Sequence, residues 1–279
     1  MSSVQEITPE LRQWIVDQAA SGHGVDAILD AMKASGWQED VAVIAIDQTL
    51  AAEVERRNQQ QRLMPEVTGP SDASSVWAYD KHVKILLRLK QPRIAVLGDF
   101  LAKEECEALI RESSARLTRS ETVQTSTGGS EVNEARTSQG MFFGRGESEL
   151  CRRIEARIAA LVNWPEDHGE GIQILRYAPG AEYRAHYDYF DPTQPGTSAI
   201  LRRGGQRVGT VVMYLNTPEQ GGATTFPDIG LDVHAIQGNA VFFAYAVPSP
   251  DTLTLHGGAP VVRGEKWVAT KWLRERRFE

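Results

Sequence analysis

The sequence predicts an α+β protein: a double-stranded β-helix (jelly-roll) barrel with flanking helices, preceded by a small N-terminal helical bundle. Three observations carry this. In the first sixty positions apolar residues recur with a helical period, Val25, Ile28, Leu29 and Met32 falling at i, i+3, i+4 and i+7. After Trp164 the pattern changes to short β-branched and aromatic runs punctuated by Gly and Pro. A His-x-Asp pair, His186 and Asp188, is then answered by His256, 70 positions after the first histidine. A sheet folded back on itself can bring residues that far apart to one barrel mouth.

Thr8-Pro9-Glu10 opens the first helix with a hydroxyl cap, a proline in the first turn and an acid near the positive end of the dipole. Leu11, Trp14 and Ile15 are its apolar stripe, and Gly22-His23-Gly24 ends it. Gly36 terminates the second helix. A third begins near Glu39, runs through Val41, Ile44 and Ala45, and fades after Arg56. Three short helices around one apolar centre resemble the ubiquitin-associated-like class of interaction bundle, and a packing or dimerisation element fits the pattern equally. From Met64 to Asp80 the chain turns to Pro, Gly, Ser, Thr and Asp, a linker composition. The expected division is 1–62 bundle, 63–80 linker and 81–279 barrel domain.

Within that domain the expected strands are 82–89, 94–97, 172–177, 183–187, 208–216, 231–235, 240–243, 253–256 and 266–273. A helix is expected at 103–116, and Leu150, Ile154, Ile158 and Leu161 mark another, closed by Trp164-Pro165. The Ser/Thr/Gly/Glu composition of 124–134 predicts a mobile loop. The long loop 191–205, rich in Gly and Pro, has the length of a lid.

The 279 residues suit one large domain, or one domain with a small companion, and an apolar fraction of 41% is enough for a packed core. A net charge of −7 argues against a broad nucleic-acid-binding surface. Two separated cysteines, Cys106 and Cys151, make no disulfide framework, which points to a reducing compartment. The N-terminus shows neither a basic region nor an apolar run, and no stretch approaches membrane-spanning length. The expectation is a cytoplasmic protein without nucleic-acid or membrane partners.

On an extended strand, residues at i and i+2 share a face, so His186 and Asp188 can converge. With His256 they make a 2-His-1-carboxylate set, the usual ligands of non-haem Fe(II) oxygenases. Lys266, ten positions after His256, would reach the floor of the same pocket. There a fixed ammonium can pair with a dicarboxylic co-substrate that chelates iron at its other end. The ligand set alone also admits a Zn or Mn site for hydrolysis or isomerisation. A non-catalytic binding protein working through its N-terminal bundle is a further alternative.

From Ile174 to Trp272 the chain resembles the catalytic core of the 2-oxoglutarate- and Fe(II)-dependent prolyl 4-hydroxylases. The matching pieces are Gln173-Ile174-Leu175-Arg176-Tyr177, Tyr183-x-x-His186-Tyr187-Asp188 and Gly205-Gln206-Arg207. They continue through Met213-Tyr214-Leu215-Asn216, Gly221-Gly222-Ala223-Thr224-Thr225-Phe226-Pro227, Gly238-Asn239-Ala240, His256 and Lys266-Trp267. The resemblance implies that 81–279 is a dioxygenase domain using Fe(II) and 2-oxoglutarate, with ascorbate as an option beside them. It implies that His186, Asp188 and His256 hold the metal, and that Tyr177, Thr224 and Lys266 bind the far carboxylate of 2-oxoglutarate. It sets Tyr183 and Arg207 near the prolyl ring and peptide backbone of a peptide or protein substrate. Trp272 is implied near the site, with Trp267 packing behind it. A same-fold dioxygenase acting on another protein side chain or a small molecule is the alternative, and a protein partner for the bundle is an option.

Overall fold

The computed structural model describes residues 5–62, 64–120, 122–123, 130–131 and 137–279. The chain divides into two units, Met1–Leu63 and Met64–Glu279.

In the first unit, α1 (Pro9–Ala20) starts where the cap predicts, Thr8 Oγ1 accepting from Leu11 N at 3.3 Å. α2 (Val25–Ala34) ends before Gly36, whose φ of +88° favours glycine. α3 (Glu39–Arg62) turns Ala42, Ala45, Ile46 and Thr49 inward and leaves Ile44 50% exposed. Of the expected run Val41, Ile44 and Ala45, Ala45 is buried and Val41 half-buried, while Ile44 turns outward. Residues 41–46 are apolar throughout, so their period does not single out a face. Ile15, Ile28 and Met32 complete this small core.

The second unit begins at Met64, so most of the expected linker belongs to the folded domain. Glu66 N donates to Val162 O at 2.9 Å and Thr68 N to Leu161 O at 2.8 Å, while Val67 and Val76 are buried in the core. Two valines docked among polar residues carry too little periodicity to reveal themselves in sequence.

The strands, in chain order, begin with β1 (Ser75–Ala78), β2 (Lys81–Leu89), β3 (Arg93–Gly98), β4 (Thr118–Arg119), β5 (Thr122–Val123) and β6 (Ser130–Glu131). Then come β7 (Gln139–Phe142), β8 (Gln173–Tyr177), β9 (Tyr183–His186), β10 (Arg207–Tyr214), β11 (Gln220–Gly221) and β12 (Thr224–Phe226). The last are β13 (Leu231–Val233), β14 (Ala240–Ala244), β15 (His256–Gly258), β16 (Val261–Arg263) and β17 (Lys266–Arg274). The larger sheet runs β1-β2-β3-β14-β10-β17-β8-β7-β4, and a smaller one runs β13-β12-β15-β9. These two sheets form the double-stranded β-helix.

Alternation along the central strands sorts the side chains into two cores. Ile174, Met213, Phe242, Trp267 and Ala269 pack against α4 (Lys103–Ser113) and α5 (Glu149–Val162). Leu175, Tyr214, Phe243 and Val268 face Phe226 and Val233 of the smaller sheet. Both faces of β14 and β17 are buried; β14 reads as a continuous apolar run, whereas β17 also buries Lys266, Thr270, Lys271 and Arg274. The strand expected at 253–256 gives way to a 3-10 turn (Pro250–Thr252) and Leu253 at φ +52°, and β15 starts only at His256. The loop expected at 124–134 lies, but for Ser130–Glu131, outside the described residues. Among the described residues, no helix is long and apolar enough to cross a membrane.

Candidate active site

β9 and β15 are antiparallel neighbours in which His186 and His256 are direct register partners, with ring centroids 4.4 Å apart. Their close approach requires Gly257, where a Cβ would stand 2.9 Å from the Tyr183 carbonyl oxygen. Asp188 sits in the bend after β9, past the end of the strand. Its Oδ1 is 3.6 Å from His186 Nε2 and its Oδ2 3.4 Å from His256 Nε2. The expected strand thus stops short of Asp188, and a side chain holds the carboxylate: Thr210 Oγ1 donates to Asp188 Oδ2 at 2.7 Å.

Each imidazole has its Nδ1 at 2.9 Å from a carbonyl, Arg184 O for His186 and Thr254 O for His256. A carbonyl can only accept, so each neutral ring keeps its proton on Nδ1 and offers a bare Nε2. The three ligand atoms lie within 4.8 Å of one another, the one such group among the described residues. Burial would raise the Asp188 carboxyl, but before a metal binds a proton on the Nε2 of His256 or His186 holds it well below the usual range, and a bound cation takes that proton's place. Two neutral nitrogens and one ionised oxygen fit a divalent iron.

Lys266 opens β17 opposite Tyr177 of β8. It is 4% exposed, and its Nζ lies 5.7 Å from the Tyr177 ring centre and 5.8 Å from that of Tyr214. A Cβ on Gly258, two residues beyond His256, would stand 3.9 Å from the same Nζ. Burial alone pulls the ammonium down to about 8, since no carboxylate compensates it. Thr224 on β12 accepts from the Tyr214 hydroxyl at 2.9 Å. Tyr177, Thr224 and Lys266 therefore gather around Tyr214, a cation and hydroxyls suited to a carboxylate.

On the other side, Tyr183 stacks on His186 with centroids 3.7 Å apart. Trp272 is the cross-strand partner of Thr210. The Arg207 guanidinium lies 3.9 Å over the Trp272 ring, and the buried indole N–H has no hydrogen-bond partner. Trp267, five positions earlier, faces the helices. Arg207 is less free than expected. Its Nε and Nη2 donate to Glu170 at 2.7 and 3.0 Å, leaving Nη1 at 3.5 Å from the Asp188 carbonyl. The 191–205 loop contains α6 (Thr197–Leu201), and the Gln206 amide bonds both backbone groups of Phe190 at its start, at 2.7 and 2.8 Å.

Sequence reasoning missed Thr210, Tyr214, Tyr245 and Glu170. Thr210 and Tyr214 have the same parity on β10, the only local signal they carried. Glu170, between two glycines, has no spacing that points to Arg207.

A family model described as the 2OG-Fe(II) oxygenase superfamily matches residues 172–274, the span that holds the three triad residues, Tyr177, Tyr183, Arg207, Thr224, Lys266 and Trp272. Fold and site together define a 2-oxoglutarate-dependent dioxygenase that uses Fe(II). Among curated relatives, Probable prolyl 4-hydroxylase 3 of Arabidopsis thaliana is 39% identical over 204 residues, covering 66% of this chain and 69% of that one. Prolyl 4-hydroxylase 1 of the same plant is 40% identical over 228 residues, covering 72% and 78%. The viral collagen prolyl hydroxylase of Paramecium bursaria chlorella virus 1, solved as its 2OG complex, superposes with a TM-score of 0.50 at 28% identity, covering 65% of this chain and 94% of that one. The chain belongs to the prolyl 4-hydroxylase family.

Proposed function

We propose that this dioxygenase hydroxylates a prolyl residue within a peptide or protein. The observation that supports the reading is the Arg207–Trp272 pair. A buried indole N–H without an acceptor stands against a guanidinium whose Nη1 makes only a long 3.5 Å bond, to the Asp188 carbonyl, and a main-chain carbonyl of a bound peptide would satisfy such donors. The relatives named prolyl 4-hydroxylases support it too.

In this reading His186, Asp188 and His256 hold Fe(II). Lys266, with Tyr177 and Thr224, receives the far carboxylate of 2-oxoglutarate and fixes its orientation. Tyr183, stacked on a ligand histidine, lies against the prolyl ring, while Trp272 and Arg207 hold the peptide chain in register. Iron and 2-oxoglutarate, when bound, supply the oxidative decarboxylation that is coupled to hydroxylation of a substrate C–H bond. Glu170 keeps Arg207 flat on Trp272, and the 191–205 loop excludes water. The proposal takes ascorbate as a supporting reductant, a protein as the partner of the bundle and the cytoplasm as the compartment. The buried free thiols of Cys106 and Cys151 support the last.

Succinate formation tests the substrate class. Wild-type enzyme given a panel of proline-containing peptides should form succinate and hydroxyproline with some of them, and neither with free L-proline at equal concentration. Hydroxylation of the free amino acid without peptide turnover would overturn the reading.

A further inference from the structure

The two histidines of the triad are each oriented by a backbone carbonyl, whereas Asp188 is oriented by side chains. Thr210 Oγ1 lies 2.7 Å from Asp188 Oδ2 and 2.9 Å from the Tyr245 hydroxyl. Asp188, Thr210 and Tyr245 are 7%, 1% and 2% exposed, so water does not compete for these bonds. The juxtaposition comes from register. Gly209 on β10 pairs with Ala244 on β14, and Tyr245 N donates back to Val208 O at 3.1 Å. Tyr245 is thereby pinned beside Thr210, just past the end of its strand.

Proton counting gives the chain a direction. An ionised carboxylate only accepts, so Thr210 spends its single hydroxyl proton on Asp188 Oδ2. Thr210 Oγ1 then has lone pairs alone to offer, and Tyr245 must be the donor to it. Each bond polarises the next in a dry environment. A carboxylate in a bend would otherwise turn freely about its last torsion, which has broad preferences.

We propose that Tyr245 and Thr210 are positioning residues, a relay from Tyr245 O–H through Thr210 O–H to Asp188 Oδ2 that fixes the carboxylate plane and sets the triad's affinity for a divalent metal. The proposal rests on the reading of Asp188 as a metal ligand. Outer partners of metal ligands contribute about 10- to 100-fold in affinity. A threonine and a tyrosine that merely satisfied one another in the core would leave metal affinity untouched when removed.

The test titrates Mn(II) alone into the full-length protein, following free Mn(II) by electron paramagnetic resonance, with no 2-oxoglutarate or substrate present. Thr210→Val should weaken Mn(II) about 10- to 100-fold, and Thr210→Ser should recover most of the loss. Tyr245→Phe should weaken it less, by about 3- to 10-fold, since Thr210 can still donate. Because Tyr245 acts only through Thr210, the Thr210→Val/Tyr245→Phe double variant should match Thr210→Val alone. Wild-type affinity in Thr210→Val overturns the relay, as does an equal effect of Tyr245→Phe in both backgrounds. If the valine variant does not fold, Tyr245→Phe decides: reduced affinity supports the relay and unchanged affinity overturns it. Failure of the wild type to bind Mn(II), with the folded state verified by circular dichroism, would overturn the metal-ligand reading itself and the relay with it.

Discussion

Arg157, Lys271 and Arg274 lie buried in the second unit, each against a carboxylate, and Lys266 lies equally buried against none. Arg157 makes two bonds to Asp80, both 2.8 Å, and two to Glu105, at 2.8 and 2.9 Å. It ties α4 and α5 to the segment after β1. Lys271 Nζ lies 2.6 Å from Glu155 Oε1 and joins β17 to α5. Arg274 shares Glu170 with Arg207. Arg157 and Lys271 are neutralised within the fold, whereas Arg274 keeps a buried Nε without a hydrogen-bond partner and shares its carboxylate with Arg207. Lys266 carries an uncompensated charge, and its ammonium shifted down to about 8 from the model-peptide value of 10.5 costs the ligand-free fold about 3 kcal/mol. In the proposed reading a dianionic co-substrate would remove that penalty, so the cost would reappear as binding. Among the described residues, buried cations with partners build the scaffold, and Lys266, without one, is the cation available to a ligand.

The largest expected effect breaks a complete pair. Glu155→Ala strands the Lys271 ammonium in the core and should cost about 3–5 kcal/mol of stability, seen as a lower denaturant midpoint. A loss below about 1 kcal/mol would mean that Lys271 escapes to water and that the distinction between the two kinds of cation fails.

Lys266→Met should act in the opposite sense on the fold. Affinity for 2-oxoglutarate should drop about 30- to 1,000-fold, or about 2–4 kcal/mol, with Mn(II) affinity retained. The ligand-free protein should become more stable by up to about 3 kcal/mol. Reduced stability together with unchanged 2-oxoglutarate affinity would show that Lys266 is a packing residue.

The smallest effect is one of pH. The folded-state value of Lys266, about 8, is below its unfolded value, so between the two the unfolded chain binds more protons. Stability of the ligand-free enzyme should therefore rise from pH 8 toward pH 10 relative to Lys266→Met. Over the same window 2-oxoglutarate, which needs the ammonium, should bind up to about tenfold more weakly per pH unit. Calorimetric titration at several pH values in wild type and Lys266→Met separates this from other ionisations. Parallel profiles in the two proteins would assign the dependence elsewhere.

The helical start at Thr8, the order of the triad and the opposed faces of Trp267 and Trp272 were legible because each depends on residue type and local period. The same reasoning put Ile44 on the inner face of α3, where residues 41–46 are all apolar, and took residues 64–80 as linker although Val67 and Val76 are buried.

By itself the sequence determined which groups this protein has for its chemistry: two imidazoles, a carboxylate and an ammonium, in an order that a folded-back sheet can close. Only the tertiary structure decided their partners. Thr210 on Asp188, Glu170 on Arg207 and Tyr214 on Thr224 are set by which strands and loops of the two sheets come to face one another. Periodicity tells which face of an element is buried; it carries no record of the element that will lie across from it.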